Sequence, residues 1–183
     1  KKKKIGLIGT GFMGKAHALA FGAAKAVMGD VPDSHLAVLC DTPADKATQM
    51  ADQFGFAHAT DDWKSLVTNP DVDIVSITTP NTLHFDMAIT AVKAGKHVYC
   101  EKPLALTLDQ AREMRDAARA ARVKTMVGYN YIKNPAFTHA CRLVQSGEIG
   151  DIVHFRGWVD EDYQADPALP WTWRAKLSDA GLG

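Results

Sequence analysis

The chain has 183 residues, no formal net charge and 46% hydrophobic residues, an ordinary globular composition that suffices for one core and part of a second. Neutral balance leaves no broad basic face to neutralise the phosphates of a nucleic acid. No stretch approaches the ~18 apolar residues of a membrane span, and Ile5–Ile8, after the basic run Lys1–Lys4, is too short for the apolar region of a signal peptide.

Short apolar runs alternate with helical patterns from the start. "KKIGLIG" (3–9) reads as a buried strand, followed by an Ala-rich helix over 14–28. "HLAVLC" (35–40) is a second strand, and a helix over 43–54 begins at Pro43, where a missing N–H costs nothing. A short strand over 56–59 precedes a helix over 62–67, and "DIVSITT" (73–79) is the fourth strand. A helix over 82–94 stops at Gly95, "KHVYC" (96–100) is the fifth strand, and a helix over 108–121 leads into "KTMVGY" (124–129). Continuous apolar strands separated by helices specify a parallel sheet covered on both faces, a doubly wound α/β domain of Rossmann type over residues 1–130. Residues 131–183 read as the opening of a second domain. They hold a helix over 135–146, an alternating strand over 151–159 and a loop over 161–182 rich in Asp, Pro and Trp. Cys40, Cys100 and Cys141 form no CxxC pair, so no metal centre and a reducing, cytoplasmic setting are expected.

Gly9, Gly11 and Gly14 in "GTGFMG" lie between the first strand and the first helix. Gly9 permits the tight turn, Gly11 the approach of backbone to a pyrophosphate, and Gly14 close helix–sheet packing. The helix-start N–H groups then face the anion, so Gly9, Gly11, Phe12, Met13 and Gly14 form a candidate cofactor cradle. Asp41, 27 positions past Gly14 at the end of the second strand, is placed to accept both ribose hydroxyls of an adenosine. No arginine follows it, which favours NAD over NADP, and Lys46 is the nearest cation that would weaken the preference. Thr79, Pro80, Asn81 and His84 in "TTPNTLH" fall at the carboxyl end of the fourth strand, where ligands of such sheets bind. Asn81 suits a helix N-cap as well as a ligand contact, and His84 suits solvent as well as the site.

"YCEKPLAL" (99–106) places Glu101, Lys102 and Pro103 where the fifth strand ends. Spacing alone leaves two readings open, a charged turn or a lysine aimed into the cofactor crevice. On the second reading, partial desolvation beside a cationic nicotinamide makes Lys102 an acceptor for a substrate hydroxyl proton. Pro103 fixes the following backbone, with a cis bond expected, and Glu101 binds the nicotinamide ribose or orients the lysine.

The glycine loop, "TTPNTLH", "CEKPLAL" and "MVGYNYIKNP", in this order, resemble the Gfo/Idh/MocA family of sugar and polyol dehydrogenases across essentially the whole chain. The resemblance implies a Rossmann domain followed by an α/β domain on a large open sheet. It implies hydride transfer between a nicotinamide and a carbinol carbon of a sugar or polyol, with Lys102 in proton transfer and Glu101 in a cofactor role. Asn130 matches a family position near the substrate, which the cofactor also approaches. Where many relatives carry arginine after that asparagine, this chain reads Tyr131-Ile132-Lys133, so Lys133 supplies the charge there. "WTWRAKLSDAGLG" resembles the segment before a Gly-Asp-x-x-x-His stretch that completes the family's catalytic set, and the chain ends ahead of it. Trp171 and Trp173 suit stacking on a sugar, or burial as anchors, and Arg174 suits its hydroxyls. The family's open sheet usually forms a subunit interface, so a homo-oligomer, dimer or tetramer, is implied. The alternatives are a non-catalytic dinucleotide-binding module or subunit, and a lyase or hydrolase of the same fold that holds NAD.

Overall fold

The computed structural model describes residues 2–162 and 165–181. A six-stranded parallel sheet has the order β3-β2-β1-β4-β5-β6. Its strands are β1 (Lys3–Ile8), β2 (Ser34–Cys40), β3 (His58–Thr60), β4 (Ile74–Ile77), β5 (His97–Cys100) and β6 (Thr125–Val127). Helices α1 (Phe12–Met28), α2 (Ala44–Phe54), α3 (Trp63–Thr68), α4 (His84–Lys93) and α5 (Leu108–Ala121) make the crossovers. This is the doubly wound arrangement that strand–helix alternation requires.

Side-chain alternation along each strand explains why the sheet is apolar on both faces. Leu7 and Leu39, in register with one another, pack with Ala18, Ala47, Met50, Ala51 and Phe56 on one side. Ile8, Val38, Cys40, Val75 and Ile77 belong to the larger cluster on the other, with Met87, Ala91, Val92 and Met114. Each fully buried Leu, Ile or Val stabilises the fold by about 1.5–3 kcal/mol relative to exposure. All three cysteines are free thiols. Burial first, and nearby carboxylates second, push Cys40 and Cys100 up to about 12, so both stay protonated at neutral pH.

The chain forms two compact units, residues 1–128 with 176–183, and Tyr129–Ala175. In the first, the tail carries the short helix α7 (Leu177–Ala180), packed against the 3₁₀ turn Asn81–Leu83. That tail lies within the stretch expected to be loop; Tyr163, Gln164 and Leu182 of the stretch, like Lys1 and Gly183, lie outside the described residues. The second unit contains the 3₁₀ turn Asn130–Lys133 and α6 (Pro135–Gln145), capped by the Asn134 side chain, which accepts from the Ala136 N–H at 2.9 Å. Residues 151–159 correct an expectation. They alternate in sequence, yet they form no strand, because no described segment offers a ladder to their backbone groups.

At the β1–α1 junction, a Cβ added at Gly14 would stand 2.0 Å from the Gly9 carbonyl oxygen. Gly14→Ala therefore forces helix and loop apart. We expect a loss of about 1–3 kcal/mol, the usual cost of overpacking, read as a lower urea midpoint with an unchanged slope.

Candidate functional site

The carboxyl ends of the parallel strands align through one further backbone bond each. Gly9 N–H donates to Cys40 C=O at 2.9 Å, Thr78 N–H to Ile8 at 3.0 Å, and Glu101 N–H to Ile77 at 2.9 Å. Gly128 N–H donates to Cys100 at 2.8 Å. Sequence order reverses between β1 and β4, so the loops after these two strands flank the crevice where doubly wound sheets bind ligands.

The glycine loop is built for an anion. Gly9 has φ +92°, and its missing Cβ makes room for the Thr78 carbonyl at 3.0 Å. The Thr78 hydroxyl donates to Ile8 C=O at 2.9 Å and Gly9 C=O at 2.8 Å, tying the loop to the end of β4. A Cβ at Gly11 would meet nothing within 4 Å. Protein packing thus does not demand glycine there, whereas a pyrophosphate lying on the backbone does. Gly11 caps α1 without a side-chain bond, and the first turn carries no acidic residue. The uncapped N–H groups are left for an external acceptor. Phe12 is 85% exposed beside them, followed by half-buried Met13.

Asp41 stands at the end of β2. Its Oδ2 accepts from the Thr10 N–H at 2.8 Å and from the Thr10 hydroxyl, and pairs with Lys46 Nζ at 2.9 Å. Its Oδ1 accepts from the Thr42 N–H at 2.6 Å. Partial burial works to raise its pKa, but the bonds from Thr10, Lys46 and Thr42, with the Lys46 charge, outweigh burial and hold it below the ordinary 3.8. An ionised carboxylate at this strand end, with the glycine loop beside it, fits an unphosphorylated adenosine ribose and so NAD.

Within residues 101–103 an exposed amine stands between a buried carboxylate and a half-buried proline. Glu101 is 5% exposed, whereas Lys102 is exposed and forms no ion pair among the described residues. The Lys102–Pro103 bond is cis. Glu101 Oε1 lies 3.0 Å from His17 Nε2, and its Oε2 accepts the Lys102 N–H at 3.3 Å. On the other side the fully buried His84 lies 2.9 Å from both the Thr79 and Pro103 carbonyl oxygens. His84 is thus neither solvated nor open to a ligand; it bridges the loops after β4 and β5. Asn81 corrects the expected N-cap. Its buried side chain makes no capping bond and instead donates to Ala180 C=O at 2.9 Å, because a 3₁₀ turn precedes α4 and α7 presents a carbonyl there.

Gly9, Gly11, Gly14, Asp41, Thr79, Pro80, Glu101 and Lys102 all lie at this edge of the first unit. Asn130, Lys133, Trp171, Trp173 and Arg174 belong to the second. There Asn130 and Lys133 bound one exposed 3₁₀ turn, Trp171 is 82% exposed, and the Arg174 guanidinium lies 4.6 Å from the Trp173 ring centroid. Sequence reasoning missed Thr10, His17, Ser76, Thr78 and Gly128. Only His17 carried a local signal, standing three residues after Gly14 on the same helix face. Ser76, His17 and Glu101 are linked like a nucleophile, base and acid, but Ser76 has no exposure, so no substrate reaches its hydroxyl.

A parallel sheet with an uncapped glycine loop at its switch point and an ionised carboxylate at the end of β2 is the arrangement of an NAD-binding Rossmann protein. The family model of the Gfo/Idh/MocA oxidoreductases, described as "Oxidoreductase family, NAD-binding Rossmann fold", matches residues 3–129, and the chain belongs to that family. Levoglucosan dehydrogenase of Pseudarthrobacter phenanthrenivorans is 42% identical over 98% of this chain and 46% of its own length. An NAD-binding oxidoreductase from Klebsiella pneumoniae has a solved structure with TM-score 0.93 and 48% identity, covering 99% of this chain and 48% of its own. The structure of levoglucosan dehydrogenase in complex with NADH and levoglucosan gives TM-score 0.95 and 41% identity, covering 99% and 49%. The chain therefore spans about half the length of these relatives. Among the described residues, no helix is long and apolar enough to cross a membrane.

The Asp41 environment has a consequence for acid stability. A carboxyl whose folded pKa lies below its unfolded value gives full stabilisation above the unfolded value. That stabilisation is lost as pH falls through the folded value. Asp41 thus favours the fold near neutrality and withdraws that support as pH drops below about 5. Asp41→Asn is expected to flatten this acid-side fall in the denaturation midpoint, and to weaken NAD binding measured by calorimetry at neutral pH.

Proposed function

We propose that the full-length protein oxidises a secondary alcohol of a sugar or polyol, with NAD as hydride acceptor. The observation that carries this reading is the placement of Lys102. It is an exposed amine at a strand end, fixed between two buried anchors, on the sheet edge that holds the dinucleotide loop. The similarity to levoglucosan dehydrogenase supports an anhydrosugar as the first substrate to test.

The bound nicotinamide supplies a hydride acceptor at its C4. Lys102 takes the proton of the reacting hydroxyl, directly or through a relay, so that the C–O bond becomes a carbonyl as hydride departs. Gly9, Gly11, Phe12, Met13 and Gly14 hold the pyrophosphate, and Asp41 the adenosine ribose. Thr79 and Pro80 line the cofactor side of the crevice, with Asn81, Glu101 and His84 fixing the loops beneath. Asn130, Lys133, Trp173 and Arg174 of the second unit bind the sugar hydroxyls and apolar faces. On this reading residues 1–130 are the dinucleotide domain, and 131–183 begin a substrate and oligomerisation domain. The intact protein is a cytoplasmic homo-oligomer, a setting supported by three free thiols.

Lys102→Ala in the full-length protein should lower turnover of the best anhydrosugar or polyol by about 10²–10⁴-fold. NAD affinity should stay near wild type. Steady-state kinetics with calorimetry checks this, and unchanged turnover would reduce Lys102 to a structural turn residue.

A further inference from the structure

The buried polar chain beneath Lys102 links it to the dinucleotide helix. His17 is 6% exposed on the inner face of α1, two turns from the uncapped N-terminus. Its Nδ1 lies 2.8 Å from the Ser76 hydroxyl, and its Nε2 lies 3.0 Å from Glu101 Oε1. One assignment satisfies every group. Ser76 O–H donates to Nδ1, and Nε2–H donates to the Glu101 carboxylate. The ring also stacks on Tyr99 at 4.7 Å, with 25° between the planes.

Glu101 is confined on its remaining side. A Cβ at Gly128 would stand 2.3 Å from Oε1, so glycine at the end of β6 leaves the space that the carboxylate fills. Besides His17, Glu101 side-chain oxygens accept only the Lys102 N–H at 3.3 Å among the described residues. A buried carboxylate that loses its one close donor must turn toward water or bear an unpaired charge. The first response moves the residue next to Lys102, and the second loosens the turn by destabilising its buried anchor. A histidine that merely filled core space would need neither the carboxylate nor the glycine.

We propose that His17 is a positioning residue that couples cofactor engagement at the start of α1 to the placement of Lys102. Helix α1 acts as the rigid arm: an anion seated on its N-terminus fixes the helix, and His17 fixes Glu101 and the turn over 101–103. The inference extends the dehydrogenase reading by adding a residue that touches neither substrate nor cofactor.

The test uses the full-length protein, with amide hydrogen exchange over residues 99–106 read with and without saturating NAD. Kinetics on an anhydrosugar provide a second readout. In wild type, NAD is expected to slow exchange over this turn. His17→Asn is too short to reach Glu101 and should abolish that slowing, with NAD affinity near wild type. Its kcat should fall by about 10–100-fold, with little change in KM for the sugar. His17→Gln places an amide donor near the Nε2 position and should restore most of both effects. If His17→Asn does not fold, Gly128→Ala displaces the same carboxylate from the other side and should give the same loss. Exchange that NAD leaves unchanged in wild type, or slowing retained in both His17→Asn and Gly128→Ala, overturns the coupling. NAD-dependent slowing that His17→Asn removes, in a protein that turns over no sugar, sinks the dehydrogenase reading and leaves the coupling standing.

Discussion

No side chain can stand between the start of α1 and the end of β1. The approach of Gly14 to the Gly9 carbonyl sets where the helix lies, and the rest of the site follows from that seating. With α1 pressed against the strand end, its uncapped N–H groups open into the switch-point crevice. Its inner face meanwhile delivers His17 to Ser76 and Glu101. The Thr78 hydroxyl closes the same corner from β4 by sharing its one proton between the carbonyls of Ile8 and Gly9. The uncapped helix start and the buried support of the turn over 101–103 are thus both set within the first two turns of α1.

The edge separates residues that hold from residues that act. Glu101, His84 and Asn81 are buried, and their side chains tie loop to helix, loop to loop and loop to tail. Lys102 remains exposed between them. Anchoring both neighbours of a flexible amine limits the backbone freedom of the turn that carries it. Asp41 follows the same logic, since donors from Thr10, Thr42 and Lys46 fix its carboxylate at the end of β2.

Much of this was legible in the sequence because it is local. Strand–helix alternation, the glycine spacing and the strand-end position of Glu101-Lys102-Pro103 depend on neighbours in the chain, and α5 lies over 108–121 as its pattern predicts. What was not legible depends on distance. His17 and Glu101 are 84 residues apart and Asn81 and Ala180 are 99 apart, so no local period announces either bond. The same reasoning explains residues 151–159. Alternation specifies which side chains share a face, but a strand exists only where a second backbone supplies the ladder. Gly128 carried no readable reason until the Glu101 carboxylate was seen in the space its side chain would take.

Hydride transfer from a carbinol carbon to the nicotinamide is followed most directly by an isotope at that carbon. An anhydrosugar deuterated at its reactive carbinol carbon would be incubated with NAD and the full-length protein, and the NADH product examined by mass spectrometry. NADH carrying one deuterium is expected, with slower turnover than for the unlabelled sugar. Unlabelled NADH, or substrate consumed with no NADH formed, would contradict hydride transfer from that carbon.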